Sequence, residues 1–253
     1  MKLLVKLGGT LLDAPDSRCR LASEIAGIAH AVVVVHGGGK QMTQYLAERG
    51  IENKFVNGMR VTTPEVVDAM LKVFAGTVNT ELVAAFRAAG ARPVGLTGLD
   101  AGLVDAEPLA EELGAVGKPV RSDARLIELL TKEHYLPVVA CVAGDAKGSV
   151  YNVNADQMAV ACASSFGAEK LIFLTDVDGV KDGAGKVPES LTAMGAAALI
   201  EASVATGGMR AKLEAAVSAL RTGVGEIVIA PGARAGVVQE ILAGKRIGTR
   251  IVP

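Results

Sequence analysis

Apolar residues along the chain fall into two recurring patterns. Short continuous runs rich in β-branched residues occur at 3–7 (LLVKL), 31–35 (AVVVV), 93–96 (PVGL), 136–142 (LPVVACV), 171–177 (LIFLTDV) and 226–230 (EIVIA). Their continuous rather than alternating apolarity predicts strands covered on both faces, as in a parallel sheet. Between the runs, apolar positions recur with helical spacing, and helices are expected over 17–29, 41–50, 64–90, 122–133, 154–167 and 209–223. Pro64 suits a first helical turn and Gly90 a C-terminal stop. Ser122 or Asp123 offers a cap to the fourth helix, while Asn154 caps and Gly167 ends the fifth. Such alternation predicts an α/β, doubly wound architecture. The stretch 100–123 lacks a helical period; its Leu-Val runs are expected to form small antiparallel strands, a flap, and KDGAGK (181–186) a surface turn.

Composition narrows the partners more than the fold. The chain has 253 residues, 50% of them hydrophobic but only 3% aromatic and none Trp, so the core is built from Val, Leu, Ile and Ala. A formal net charge of −1 gives no reason to expect nucleic acid or an acidic membrane as partner. Cys19, Cys141 and Cys162 are odd in number, far apart and without C-x-x-C spacing, which disfavours a disulfide framework or zinc site and fits a reduced cytosolic setting. The opening MKLLVKLGGT is too short for a signal segment, and no apolar run approaches the ~20 residues of a membrane span. A soluble, cytoplasmic protein is expected.

Two of the apolar runs end in glycine clusters: Gly8 and Gly9 after the first, Gly37 to Gly39 after the second. Ligands in open α/β sheets bind beyond the carboxyl ends of the strands. Bare backbone there lets N–H groups converge on an anion, and a following helix adds its positive end. The plainer alternative is a pair of tight turns. Neither cluster is a G-x-G-x-x-G or G-x-x-x-x-G-K-[ST] sequence, so a dinucleotide or Walker-type loop is not supported.

Charged residues stand beside these turns. Lys6 lies within an apolar strand; if that strand is central, the ammonium requires an anionic partner, and otherwise it shares a solvated face with Lys2. Arg60, in NGMRVT, reads as a loop arginine whose planar fork suits a carboxylate. In YNVNADQ (151–157), Asp156 falls in a first helical turn, where the helix dipole alone favours an acid, but only one of Asn152 and Asn154 is needed as a cap. Lys212, near a helix start, opposes the dipole and invites an anion. His36 reads as a structural hydrogen-bonder rather than a base, and His30 and His134 as helix-end or loop residues. No H-E-x-x-H, G-x-S-x-G or Cys-His arrangement is present, which disfavours metal hydrolysis and acyl-enzyme chemistry.

VKLGGTLL, VVVVHGGGKQM, NGMRVT, GLTGLDAGLV, LGAVGKPV, VYNVNADQMAVACA, LIFLTDVDGV and TGGMRAKLEAA occur in that order. Together they resemble the bacterial N-acetylglutamate kinases of the amino acid kinase superfamily, and the resemblance covers essentially the whole chain. It implies a single domain, 1–253, folded as a three-layer αβα sandwich on a mostly parallel open central sheet. An N-terminal acyl-amino-acid lobe would span about 1–168 and a C-terminal nucleotide lobe about 169–253.

The resemblance also implies roles. Lys6 and Lys212 match lysines that stabilise the phosphoryl group in flight, and Asp156 matches the aspartate that orients them. Gly8, Gly9 and Gly39 match glycines at the phosphates, with Gly38 and Gly39 also lining the acyl-amino-acid pocket. Arg60 and Asn152 match residues that grip the substrate α-carboxylate and its neighbours. Asp176, Val177, Asp178, Gly179, Val180 and Lys181, with Val204, Ala205, Thr206 and Met209, match the nucleotide pocket. The implied activity is ATP-dependent phosphorylation of the γ-carboxylate of N-acetyl-L-glutamate, in arginine biosynthesis. Mg²⁺ would accompany ATP, with no dedicated protein metal site. Arginine-inhibited members carry an extra N-terminal helix absent before Lys2, so an arginine-insensitive homodimer is implied. The competing readings are a related kinase of carbamate, glutamate or an aminoadipate derivative, and a silent nucleotide-binding regulator.

Overall fold

The computed structural model describes residues 1–56 and 58–253, with Gly9 and Thr10 by backbone only. In chain order the strands are β1 (Lys2–Leu7), β2 (Ala31–His36), β3 (Phe55–Val56), β4 (Met59–Arg60), β5 (Pro93–Thr97), β6 (Val104–Pro108) and β7 (Val116–Ser122). They continue with β8 (Leu136–Ala140), β9 (Val142–Gly144), β10 (Val150–Val153), β11 (Lys170–Thr175), β12 (Ser190–Thr192), β13 (Glu226–Pro231) and β14 (Thr249–Val252). The helices are α1 (Pro15–Ala26), α2 (Gly39–Glu48), α3 (Pro64–Met70), α4 (Asn79–Ala88), α5 (Arg125–Lys132), α6 (Ala155–Phe166), α7 (Ala193–Glu201), α8 (Gly207–Arg221) and α9 (Val237–Leu242).

Eight strands form one sheet in the order β12-β14-β13-β11-β1-β2-β8-β5. The central pairs are all parallel, and only β14 runs antiparallel to β13. The continuous apolar runs are the middle of this sheet. Leu3, Leu4, Val5 and Leu7 of β1, and Leu171 to Leu174 of β11, are fully buried. α1 and α4 carry the chain outward from β1 to β2 and on to β5, whereas α5, α6 and α8 bring it back towards β13. Right-handed crossovers in opposite directions put the two sets on opposite faces, which gives three layers. Accordingly α4 packs on β5, β8 and α1, while α6 packs on β1, β2, β11 and α8. β6, β7, β9 and β10 close a second, small sheet beside the main one.

The structure redraws several expected elements. The run 136–142 is two strands: after Ala140 the chain leaves the main sheet, and Val142–Gly144 joins the small one. Helix 64–90 is a single 25-residue helix, Pro64–Ala88, with a π-helical middle at Leu71–Val78. It is long and apolar enough to cross a membrane, contrary to the expectation that no segment is, but Val66, Met70, Phe74, Val78, Leu82 and Phe86 bury one side in the core. Asp123 does not take the N-cap position of α5, which falls to Ala124; its carboxylate accepts the Arg125 N–H at 3.1 Å and is held by the Arg125 guanidinium. Arg60 is a strand residue rather than a loop one, since β3 and β4 pair as a minimal antiparallel ladder.

Candidate active site

β1 and β2 are neighbours, with Lys6 beside Val35 and Leu7 beside His36, so both glycine turns emerge at one edge of the sheet. On its other side β1 pairs with β11, Lys6 lying opposite Phe173. The crossovers leave β1 in one direction and reach β11 from the other. The carboxyl ends of β1 and β11 therefore flank the point where strand order reverses, where open α/β sheets hold ligands.

Lys6 has the anionic partner that its burial demands. Only 6% exposed, it places Nζ 2.7 Å from Asp156 Oδ1. Asn154 caps α6, its side chain accepting the N–H groups of Asp156 and Gln157, which fixes the acid in the first turn. The second carboxylate oxygen, Oδ2, accepts from Lys212 Nζ at 3.0 Å, reached from α8. Burial alone would raise the Asp156 pKa, but Lys6 and then Lys212 outweigh it and hold the carboxyl below the usual aspartate range. Burial, and then the like charge of Lys6, lower the Lys212 pKa, opposed by Asp156 and more weakly by Asp176. Two ammonium groups thus share one carboxylate, so the trio holds one formal positive charge in excess, which Asp176 offsets more weakly.

The glycines serve different purposes. The Gly8 N–H, expected to face a phosphate, donates instead to Leu174 O at 3.1 Å. A Cβ at Gly8 would lie 2.8 Å from Lys6 Nζ, so the missing side chain makes room for the ammonium. Gly9 opens a short 3-10 turn, Gly9–Leu12, and nothing beyond its backbone is described. Gly38 occupies the N-cap position of α2 and makes no side-chain cap, so no side chain at that position satisfies the first-turn amides of α2. A Cβ on Gly38 would strike the Phe74 ring at 2.8 Å, whereas one on Gly39 would meet nothing within 4 Å. Gly38 is needed for packing; Gly39 faces open space.

Arg60 is 8% exposed, and burial lowers its pKa. Its NH2 donates to Gly39 O and Thr43 Oγ1, both at 3.0 Å, and NH1 donates to Asn53 Oδ1. The fork therefore stands against the glycine turn. Asn152 Nδ2 donates to Thr62 Oγ1, which in turn donates to Arg60 O, so Asn152 and Arg60 are linked through a threonine that sequence reasoning missed. Asn57 of NGMRVT lies outside the described residues.

Residues expected at a nucleotide are divided. Asp176, Val177, Asp178 and Lys181 are exposed after β11. Gly179 and Val180 are buried, with the Val180 N–H donating to Thr249 Oγ1 at 3.0 Å. Val204 is exposed, Ala205 buried, and Thr206 takes the N-cap position of α8 with Met209 in its first turn. His30 and His134 lie at the opposite end of the strands, beside Lys2 and Arg92.

The amino acid kinase family model matches residues 1–231. The chain belongs to the amino acid kinase family. Among its relatives, an acetylglutamate kinase of Solibacter usitatus is 61% identical over 255 residues, covering 100% of this chain and 99% of that protein. One of Koribacter versatilis is 41% identical over 258 residues, again with 100% and 99% covered. Among solved structures, N-acetylglutamate synthase from Neisseria gonorrhoeae, complexed with coenzyme A and N-acetyl-glutamate, superposes with a TM-score of 0.88 at 26% identity. That match covers 100% of this chain and 59% of the synthase. Carbamate kinase from Giardia lamblia bound to AMP-PNP superposes at 0.72 with 18% identity over 99% of this chain and 98% of that one, a likeness of fold.

Proposed function

We propose that this family member is an ATP-dependent acetylglutamate kinase of arginine biosynthesis. It transfers the γ-phosphoryl group of ATP to the γ-carboxylate of N-acetyl-L-glutamate, giving the acyl phosphate and ADP. The 61% identity to an acetylglutamate kinase along the whole chain carries the reading, and the Lys6–Asp156–Lys212 trio gives it a mechanism.

The acceptor is a side-chain carboxylate with an ordinary pKa of ~4.3, already ionised at neutral pH. No general base is required, and the two buried candidates are engaged otherwise: Asp156 is held by two lysines and His36 is buried and neutral. One carboxylate oxygen attacks the γ-phosphorus in line while the bond to the ADP oxygen breaks. The obstacle is the approach of an anion to a polyanion, so positioning and charge neutralisation dominate. Lys6 at the end of β1 and Lys212 on α8 offer ammonium groups to the moving phosphoryl from two sides. The amides opening α2 add uncharged donors. Arg60 and Asn152 orient the acyl-amino acid.

Mg²⁺ accompanies ATP in this reading. Among the described residues no group of three or more His, Cys, Asp or Glu is placed to hold a metal. Mg²⁺ would ride on phosphate oxygens and water, as it commonly does, and would supply further charge neutralisation there. The lobes are proposed as about 1–168 for the acyl-amino acid and about 169–253 for the nucleotide. A cytoplasmic homodimer is the proposed form; the outer edge of β5 ends the main sheet unpaired among the described residues.

A hydroxamate-coupled assay with ATP, Mg²⁺ and N-acetylglutamate tests the proposal. Lys6→Ala and Lys212→Ala should keep native circular dichroism and lose about 10²–10³ in kcat. Wild-type protein that binds ATP but phosphorylates carbamate or glutamate in preference would overturn the substrate. Full activity in either variant would overturn the mechanism.

A further inference from the structure

Resting on the kinase reading above, we infer that His36 and Asn79 are positioning residues of the transfer. A hydrogen-bond chain that starts at the Asn79 NH2 group and runs through the His36 ring fixes the Gly37 carbonyl and so aims the amides of the following turn at the phosphates.

The direction of the chain follows from its ends. Val138 O can only accept, so Asn79 Nδ2, 2.9 Å away, donates to it. The same amide nitrogen lies 3.0 Å from His36 Nε2. Both hydrogens belong to that NH2 group, so Nε2 must accept and the ring proton must sit on Nδ1. Nδ1–H then donates to Gly37 O at 2.8 Å. His36 is fully buried and Asn79 nearly so, and a buried bond of this kind costs more to leave unmade than it contributes when made. Burial pushes the His36 pKa down to about 4, keeping the ring neutral. A protonated ring would set N–H against NH2 and break the chain.

The surrounding fold is shaped to put Asn79 there. It follows directly on the π-helical stretch Leu71–Val78, and such stretches recur at functional sites. Phe74 and Val78 from that stretch sit beneath Gly38, which has no side chain to obstruct them. Gly95 of β5 is bare where the Asn79 Oδ1 lies, since a Cβ would fall on it. From the far side of the turn, Arg60 takes Gly39 O. The turn is thus held at both ends, by His36 on Gly37 O and by Arg60 on Gly39 O. A histidine that only filled space would need neither a defined tautomer nor an amide partner satisfied by a third group.

The test uses the full chain with His36→Leu, His36→Asn and Asn79→Leu. His36→Asn keeps a donor near the Nδ1 position; His36→Leu removes it. Long-range ¹H–¹⁵N correlation spectra of wild type should show a neutral His36 ring protonated on Nδ1. Calorimetry with ADP should show affinity weakened roughly tenfold to a hundredfold in His36→Leu and largely recovered in His36→Asn, with KM for ATP following. Asn79→Leu should weaken ADP binding less and mix the tautomers. A ring protonated on Nε2, or variants that lower the melting temperature while leaving ADP affinity and KM unchanged, would overturn the inference. If His36→Leu does not fold, Asn79→Leu and the wild-type tautomer decide. Wild type that binds ADP but fails to phosphorylate N-acetylglutamate would strike the kinase reading alone, leaving the affinity comparison to judge the positioning role.

Discussion

Lys6 and Asp156 form a buried ion pair, Nζ to Oδ1 at 2.7 Å, that ties the first strand to the sixth helix. Lys212 closes the same carboxylate from the other side. Removing the acid would leave a buried and a part-buried ammonium group facing each other. Asp156→Asn is expected to cost about 3–5 kcal/mol of unfolding free energy, the range for breaking a buried pair. Urea denaturation followed by circular dichroism measures it, and turnover should fall with it. A variant as stable as wild type would mean that the lysines are neutralised some other way.

Gly8 gives space to Lys6 rather than an amide to a ligand. Gly8→Ala would set a methyl group 2.8 Å from Nζ and 3.2 Å from Leu174 O, so the ammonium must move away from its place over β1. The expected outcome is a folded protein with kcat reduced roughly 10²-fold, since a displacement near 1 Å has that effect on a positioned group. Steady-state kinetics of the purified variant check this; an unchanged kcat would show that Lys6 tolerates another position.

The two neighbouring glycines of the second turn should respond differently. In Gly38→Ala the new Cβ collides with the Phe74 ring, which is buried and cannot swing clear, so the midpoint of thermal unfolding should fall with activity. In Gly39→Ala the Cβ enters open space, and the free protein should be as stable as wild type. Loss of activity in Gly39→Ala without loss of stability would locate a ligand over that residue. Equal stability losses in the two would contradict the packing described.

His36 also sets an acid limit. Its folded pKa of about 4 lies below the ordinary value of 6.5, so between these two values the unfolded chain binds a proton that the folded one refuses. Stability therefore rises with pH through that window and is flat above it, by about 3 kcal/mol in all. Denaturation curves at the two ends of the window, for wild type and His36→Asn, measure it. The variant should lose that part of the slope; an unaltered slope would assign it to other groups.

Much of this was legible in local sequence. Five of the six apolar runs became main-sheet strands because double burial demands continuous apolarity, the sixth became the half-exposed edge strand β5 of the same sheet, and Asn154 and Gly167 marked the ends of α6 through cap chemistry that acts within a few residues. Other elements gave no such signal. β9, β12 and β14 are three or four residues long, and the alanine-rich α7 shows little contrast between faces. Asn79 sits in an apolar helix where only its polarity hinted at a buried partner, and Thr62 was one hydroxyl among many.

By itself the sequence determined the alternation of strands and helices, the bare backbone at two strand ends, and the need of a buried lysine for an anion. These are consequences of burial and of dihedral freedom at single positions. Only the tertiary structure decided which acid answers Lys6, that Gly8 yields room while Gly38 yields to a phenylalanine, and which nitrogen of His36 holds its proton. Those outcomes depend on strand order and crossover direction, which bring together residues that no local window contains.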